Sequence, residues 1–201
     1  MDNRTERLVR AIQNSPEGIA ALETLEGLRL CDKFTLRTTL SRLSKSGRII
    51  RLKRGVYSEN PIRDAFTAAQ YTYGGYLGFS SALYLHKLIT ELPFTITVVT
   101  PHKSASKTIG AYELRAVAMK EKAIGFENVG TLTVSTRAKT IFDCIYLEKY
   151  SIAKDKLIEA YRDAPLNARE LKEFDSYVKR FIPSRMRNKF VEVKKEMEEE
   201  G

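Results

Sequence analysis

The chain has 201 residues, 43% of them apolar, which is enough for one large domain or two modest ones with an ordinary core and excludes disorder by composition. Its formal charge is +9, and the excess is concentrated: from Leu28 to Ser58 nine Lys or Arg stand against one acid, Asp32. Cys31 and Cys144 are far apart with no CxxC or Cys/His neighbour, which argues against a disulfide framework or a zinc site, and apolar runs such as Thr95–Thr100 are strand-sized, too short to span a membrane.

From the N-terminus, Arg4 to Asn14 places Leu8, Val9 and Ile12 on one stripe, predicting an amphipathic helix that Ser15-Pro16-Glu17-Gly18 stops. A second helix is predicted from Ile19 to Glu26, with Leu22 and Leu25 inward and Gly27 at its end. The Leu28 to Lys33 turn leads to a third helix, with Asp32 or Thr35 as its N-cap. Here Leu36, Leu40 and Leu43 fall within about 60° of one another, while Arg37, Thr38, Ser41, Arg42 and Lys45 occupy the other face. Beyond Gly47, Arg48 to Leu52 is rich in β-formers, Lys53-Arg54-Gly55 makes a turn and Val56-Tyr57-Ser58 returns. A helix, helix, turn, helix, hairpin order with a cationic hairpin tip predicts a winged helix-turn-helix.

Asn60-Pro61 is the predicted boundary, separating a domain of residues 1–60 from one of residues 61–201; Asn is a good N-cap and Pro a good first helical residue, so a helix is expected there, running through Ala65, Phe66 and Ala69 to Gly74-Gly75. Tyr76 to Leu88 predicts a turn and then a helix capped by Ser80. Strands are expected at Thr95–Thr100, Tyr112–Met119 and Thr131–Val134, with a fourth around Ala123–Phe126, and Pro101 to Lys107 as a polar loop. Thr136 should cap a helix reaching about Lys149, followed by helices at Ile152–Asp163, Ala168–Phe181 (Asn167 and Glu170 forming a capping box) and Pro183–Glu200, the last fraying at its acidic end. The fold class is therefore α+β: a winged helix followed by a mixed α/β domain with a small sheet and C-terminal helices.

No constellation for catalysis emerges. Gly78-Phe79-Ser80-Ser81 before a helix is similar to the Gly-Ser loop of nucleotidyltransferases, but that chemistry needs paired acids on a nearby strand, and Thr95–Thr100 has none. His86 has no second ligand at helical spacing and is expected to pack, and His102 lies in the polar loop with Lys103 and Lys107. Asp143 is expected to pair with Arg137 or Lys139 one turn back, and Cys144 to be core. The chain is thus expected to be no enzyme and to need no metal or cofactor. With no secretory signal, it is expected in the cytoplasm.

The run Leu40-Ser41-Arg42-Leu43-Ser44-Lys45-Ser46-Gly47-Arg48-Ile49-Ile50-Arg51 into Arg54-Gly55-Val56-Tyr57 resembles the N-terminal winged helix of AbiEi-type antitoxins. Ser81 to Leu88, Ile96 to Val99 and Val134 to Asp143 resemble that family's second domain in order and spacing, so the resemblance extends over most of the chain. It implies a bacterial or archaeal repressor that binds inverted repeats in its own promoter. It also implies that the second domain opposes a nucleotidyltransferase-like toxin, often without direct contact, as in a type IV toxin–antitoxin system.

The expected DNA-contacting residues divide by chemistry. Arg37, Thr38, Ser41 and Arg42 should face the major groove, Lys45 and Arg48 should meet phosphates, and Lys53 and Arg54 at the wing tip should reach backbone or minor groove. Lys33, Thr35 and Arg51 complete the set. The competing expectation is a stand-alone regulator whose second domain senses a small molecule through the Pro101 to Lys107 loop.

Overall fold

The computed structural model describes residues 4–198. The chain divides into two compact units: one runs to Gly74 and includes Thr108–Tyr112, and the other comprises Gly75–Lys107 and Glu113 onward.

In the first unit, α1 (Arg4–Gln13) buries Leu8, Val9 and Ile12 at the spacing of one helical face, and a single 3-10 turn at Pro16–Gly18 ends it. There follow β1 (Ile19–Ala21), α2 (Leu22–Gly27), α3 (Lys33–Lys45), β2 (Ile49–Lys53), β3 (Val56–Glu59) and α4 (Ala65–Tyr73). The three strands form an antiparallel sheet in the order β1-β3-β2, with Ala20 opposite Tyr57 and Ile50 opposite Ser58. This is the winged helix-turn-helix arrangement: three helices and a hairpin around one core of Leu8, Ile12, Leu25, Leu36, Leu40, Leu43, Ile49 and Tyr57.

Two boundaries differ from expectation. The helix predicted from Ile19 to Glu26 is split, since Ile19–Ala21 forms β1 and the helix begins only at Leu22. The free edge of β3 decides this: pairing with it satisfies backbone groups of both segments and buries Ile19 and Ala20. Likewise, the helix expected at Pro61 begins at Ala65, because Asp64 accepts the N–H groups of Phe66 (3.1 Å) and Thr67 (3.0 Å). Asn60 is engaged elsewhere, its Nδ2 donating to the Gly47 carbonyl at 2.6 Å across the base of the hairpin.

The second unit is built on a six-stranded mixed sheet. Its strands are β4 (Tyr76–Leu77), β5 (Thr95–Thr100), β6 (Ala105–Ile109), β7 (Tyr112–Ala118), β8 (Phe126–Val129) and β9 (Leu132–Ser135), in the order β6-β7-β5-β4-β9-β8. β5 runs parallel to β7 and antiparallel to β4, and is buried from Ile96 to Thr100, as its unbroken apolar and Thr sequence requires. The helices are α5 (Phe79–Leu85), α6 (Arg137–Tyr146), α7 (Lys154–Asp163), α8 (Ala168–Phe181) and α9 (Ser184–Glu198). The sheet is larger than expected, because Tyr76–Leu77 is a strand and no mere turn, and because β6 takes up the end of the supposed Pro101–Lys107 loop. The fourth strand lies at Phe126–Val129, after Gly125 and not before it. Gly78, not Ser80, is the N-cap of α5, and α6 stops at Tyr146, with a 3-10 turn at Glu148–Tyr150.

The expected caps of α6 and α8 are present: Thr136 accepts the Lys139 N–H, and Asn167 with Glu170 makes a full capping box. The far end of α9 lies partly outside the described residues, and the expectation of fraying with it.

The helical side of this unit is packed around Phe142, whose ring centroid lies 5.5 Å from that of Phe190, 5.6 Å from Tyr177 and 6.4 Å from Phe174. One charged pair sits in that core: Lys139 Nζ donates to Asp143 Oδ1 one helical turn on, and both side chains are fully buried. Gly125, at φ +75°, closes over it, since a Cβ there would run into the Tyr177 hydroxyl.

Candidate nucleic-acid interface

The outward face of the first unit's basic segment is set by α3. Asp32 caps it, accepting the Thr35 N–H at 2.9 Å, and hydrogen bonds from the Thr35 hydroxyl and then from its N–H hold the Asp32 carboxyl below the usual carboxylate range. Leu36, Leu40 and Leu43 are buried, and a fully buried Leu contributes about 1.5–3 kcal/mol relative to an exposed one. That anchoring leaves the opposite side outward. Arg37, Ser41, Arg42 and Lys45 are exposed there, with Thr35 and Thr38 half-buried. Arg42 and Lys45 lie in the last turn, where the helix dipole favours cations.

The wing follows a two-residue turn, Arg54-Gly55, with Gly55 at φ +76°. A register shift between Arg51 and Lys53 lets Leu52 turn inward while Arg51, Lys53 and Arg54 remain exposed. The Leu22 N–H donates to the Gly55 carbonyl at 2.7 Å, so the tip of the hairpin is hydrogen-bonded to the start of α2.

The expected residues differ in their electrostatic standing. Lys33 and Arg37 both lie 3.4 Å from Glu26, and Arg48 makes a double hydrogen bond to Glu6 at 2.8 and 3.0 Å. Among the described residues no carboxylate comes within ion-pair distance of Arg42, Lys45, Lys53 or Arg54. Those four offer their charge without displacing an acid, whereas Lys33, Arg37 and Arg48 must first exchange a carboxylate for another anion.

Residues of the second unit considered above are otherwise engaged. Lys139 is held by Asp143, and Arg137 is held by Glu170 at 3.3 Å and by the Ala164 carbonyl at 2.6 Å. The expected pairing of Asp143 is therefore found, with Lys139. Burial drives Lys139 down and Asp143 up, the latter to about 6, in each case against the attraction of its partner. The ring of His86 donates from Nε2 to the Ser135 carbonyl at 2.7 Å, and buried Ser81 accepts the Thr97 N–H at 2.8 Å. Among the described residues no group of three or more His, Cys, Asp or Glu is placed to hold a metal ion, and no helix is long and apolar enough to cross a membrane.

Sequence reasoning missed one side chain of this face. Phe34, in the first turn of α3, is 82% exposed. Its signal was available: it lies opposite the leucine stripe, at a position where an aromatic ring has no core to enter.

A search of the curated proteins finds no match for the chain. Residues 36–60, from the first buried leucine of α3 through both strands of the wing to Asn60, match the family model of the transcriptional regulator, AbiEi antitoxin.

Proposed function

We propose that this protein is a sequence-specific, DNA-binding repressor that acts in the cytoplasm on its own promoter as the antitoxin of a toxin–antitoxin pair. The observation that carries this reading is the coincidence of three features on one segment. α3 buries its leucines and exposes Arg, Thr and Ser, the wing carries Lys53 and Arg54 free of carboxylates, and residues 36–60 match a family of antitoxin regulators. Arg37, Thr38, Ser41 and Arg42 read base edges, while Lys45, Arg48, Lys53 and Arg54 hold phosphates and fix the register, with Lys33, Thr35 and Arg51 flanking them. Inverted repeats are the operator form that a two-fold pair of such modules requires. The residues after the winged helix serve the antitoxin role against a nucleotidyltransferase-like toxin, with or without touching it.

The test is a gel shift with the protein's own upstream region across a salt series. Binding should fall steeply with salt, as it does when several phosphates are neutralised. Absence of binding at low salt overturns the reading. Growth of cells expressing the neighbouring reading frame, with and without this protein, tests the antitoxin half separately.

A further inference from the structure

We infer that Phe34 is a specificity-determining residue, its ring packing against the C5-methyl group of a thymine in the major groove. This rests on the DNA-binding reading above and adds to it an uncharged contact.

Phe34 is 82% exposed, and with Asp32 capping the helix and Leu36, Leu40 and Leu43 anchoring it, the ring has no role in the core. Stepping 100° per residue from Phe34, Thr38, Ser41 and Lys45 fall within about 40° of it, and Arg37 and Arg42 within about 80° on either side. The ring thus stands on the midline of the outward face. Its company there is cationic and hydroxylic, with Lys33 adjacent in sequence and Arg37, Arg42 and Lys45 along the helix. An apolar protein partner would have to bury those charges, whereas a polyanion is attracted by them. Within a polyanionic duplex, the apolar group displayed in the major groove is the thymine methyl, and the N-terminal residues of a recognition helix are the ones that approach base edges. Phe34 carries no charge, so its contribution is sequence-dependent and releases no counterions.

The experiment uses the full chain and a duplex selected by it from a random pool, in which each thymidine is replaced in turn by deoxyuridine, removing one methyl group and nothing else. At one position per half-site this should weaken wild-type binding about fourfold, the worth of one buried methyl. Phe34→Ala should bind the thymidine and deoxyuridine duplexes equally, with an unchanged salt slope and an unchanged melting curve. Wild-type binding that is indifferent to every replacement overturns the inference and leaves the DNA reading standing. The same holds if Phe34→Ala keeps its methyl sensitivity, or if it instead converts a dimer to a monomer in light scattering, which makes the ring a contact between copies. Failure of the wild type to select any duplex overturns the DNA reading, and this inference with it.

Discussion

Arg48 and Glu6 are joined by two hydrogen bonds, 2.8 and 3.0 Å, that tie the segment between α3 and β2 to the first helix. A half-exposed pair of this kind contributes about 0–1 kcal/mol to stability. In the proposed DNA complex its larger effect falls on binding, because the carboxylate would compete with phosphate for Arg48. Glu6→Gln should therefore tighten binding to every duplex, by about fivefold at low salt for about 1 kcal/mol of relieved repulsion, with the gain vanishing at high salt. A salt-series gel shift measures it, and equal binding by wild type and variant removes Arg48 from the interface.

In the proposed complex, Lys53 and Arg42 should separate affinity from specificity. Lys53→Ala at the wing should weaken all sequences about equally and make the slope of log K against log salt shallower by about 0.9. Arg42→Ala should instead compress the difference between selected and scrambled duplexes, by about 1–3 kcal/mol if it contacts a base bidentately.

Leu40 and Phe34 lie on opposite faces of α3 and should respond oppositely in a denaturant titration. Leu40→Ala, at a fully buried position, should cost about 2–5 kcal/mol of stability. Phe34→Ala should stay within about 0.5 kcal/mol of wild type.

The buried Lys139–Asp143 pair makes a prediction about pH. Replacing Lys139 and Asp143 together by Met and Leu should be neutral or stabilising, since neither charge then has to leave water. In the wild type the Asp143 carboxyl titrates at about 6 when folded, against 3.8 when unfolded, so the folded chain takes up this proton first. The contribution of Asp143 to stability therefore grows as the pH falls through about 6 and is least above it. The double variant lacks that term, so any stability advantage it holds at neutral pH should narrow on acidification, as urea midpoints at several pH values would reveal.

Cys144 should resist alkylation in the native state, since burial pushes its thiol up to about 12, while half-exposed Cys31 reacts first. Mass spectrometry after a short iodoacetamide pulse distinguishes the two.

What was legible in the sequence was local. The stripe of Leu8, Val9 and Ile12, that of Leu36, Leu40 and Leu43, the caps at Asp32, Thr136 and Asn167, and the Arg54-Gly55 turn all depend on neighbours within a turn or two. What was missed depends on partners distant in sequence. Ile19–Ala21 is a strand only because β3 offers it an edge some 38 residues later, and Tyr76–Leu77 is one only because β5 and β9 flank it. The site shows the same division. Its cations were visible in a charge count, but the carboxylates holding three of them, Glu6 and Glu26, become their neighbours only through folding.

The hydrogen bond from the Leu22 N–H to the Gly55 carbonyl gives the wing a property that an isolated hairpin lacks. Two strands joined by a tight turn are marginally stable in water on their own. Here the tip is pinned to α2 and the base is stitched by Asn60 to Gly47, so the hairpin is held in shape by hydrogen bonds within its own unit. In the proposed DNA complex, docking should then incur little loss of conformational entropy in the wing, leaving more of the attraction of Lys53 and Arg54 for an anionic surface available as affinity.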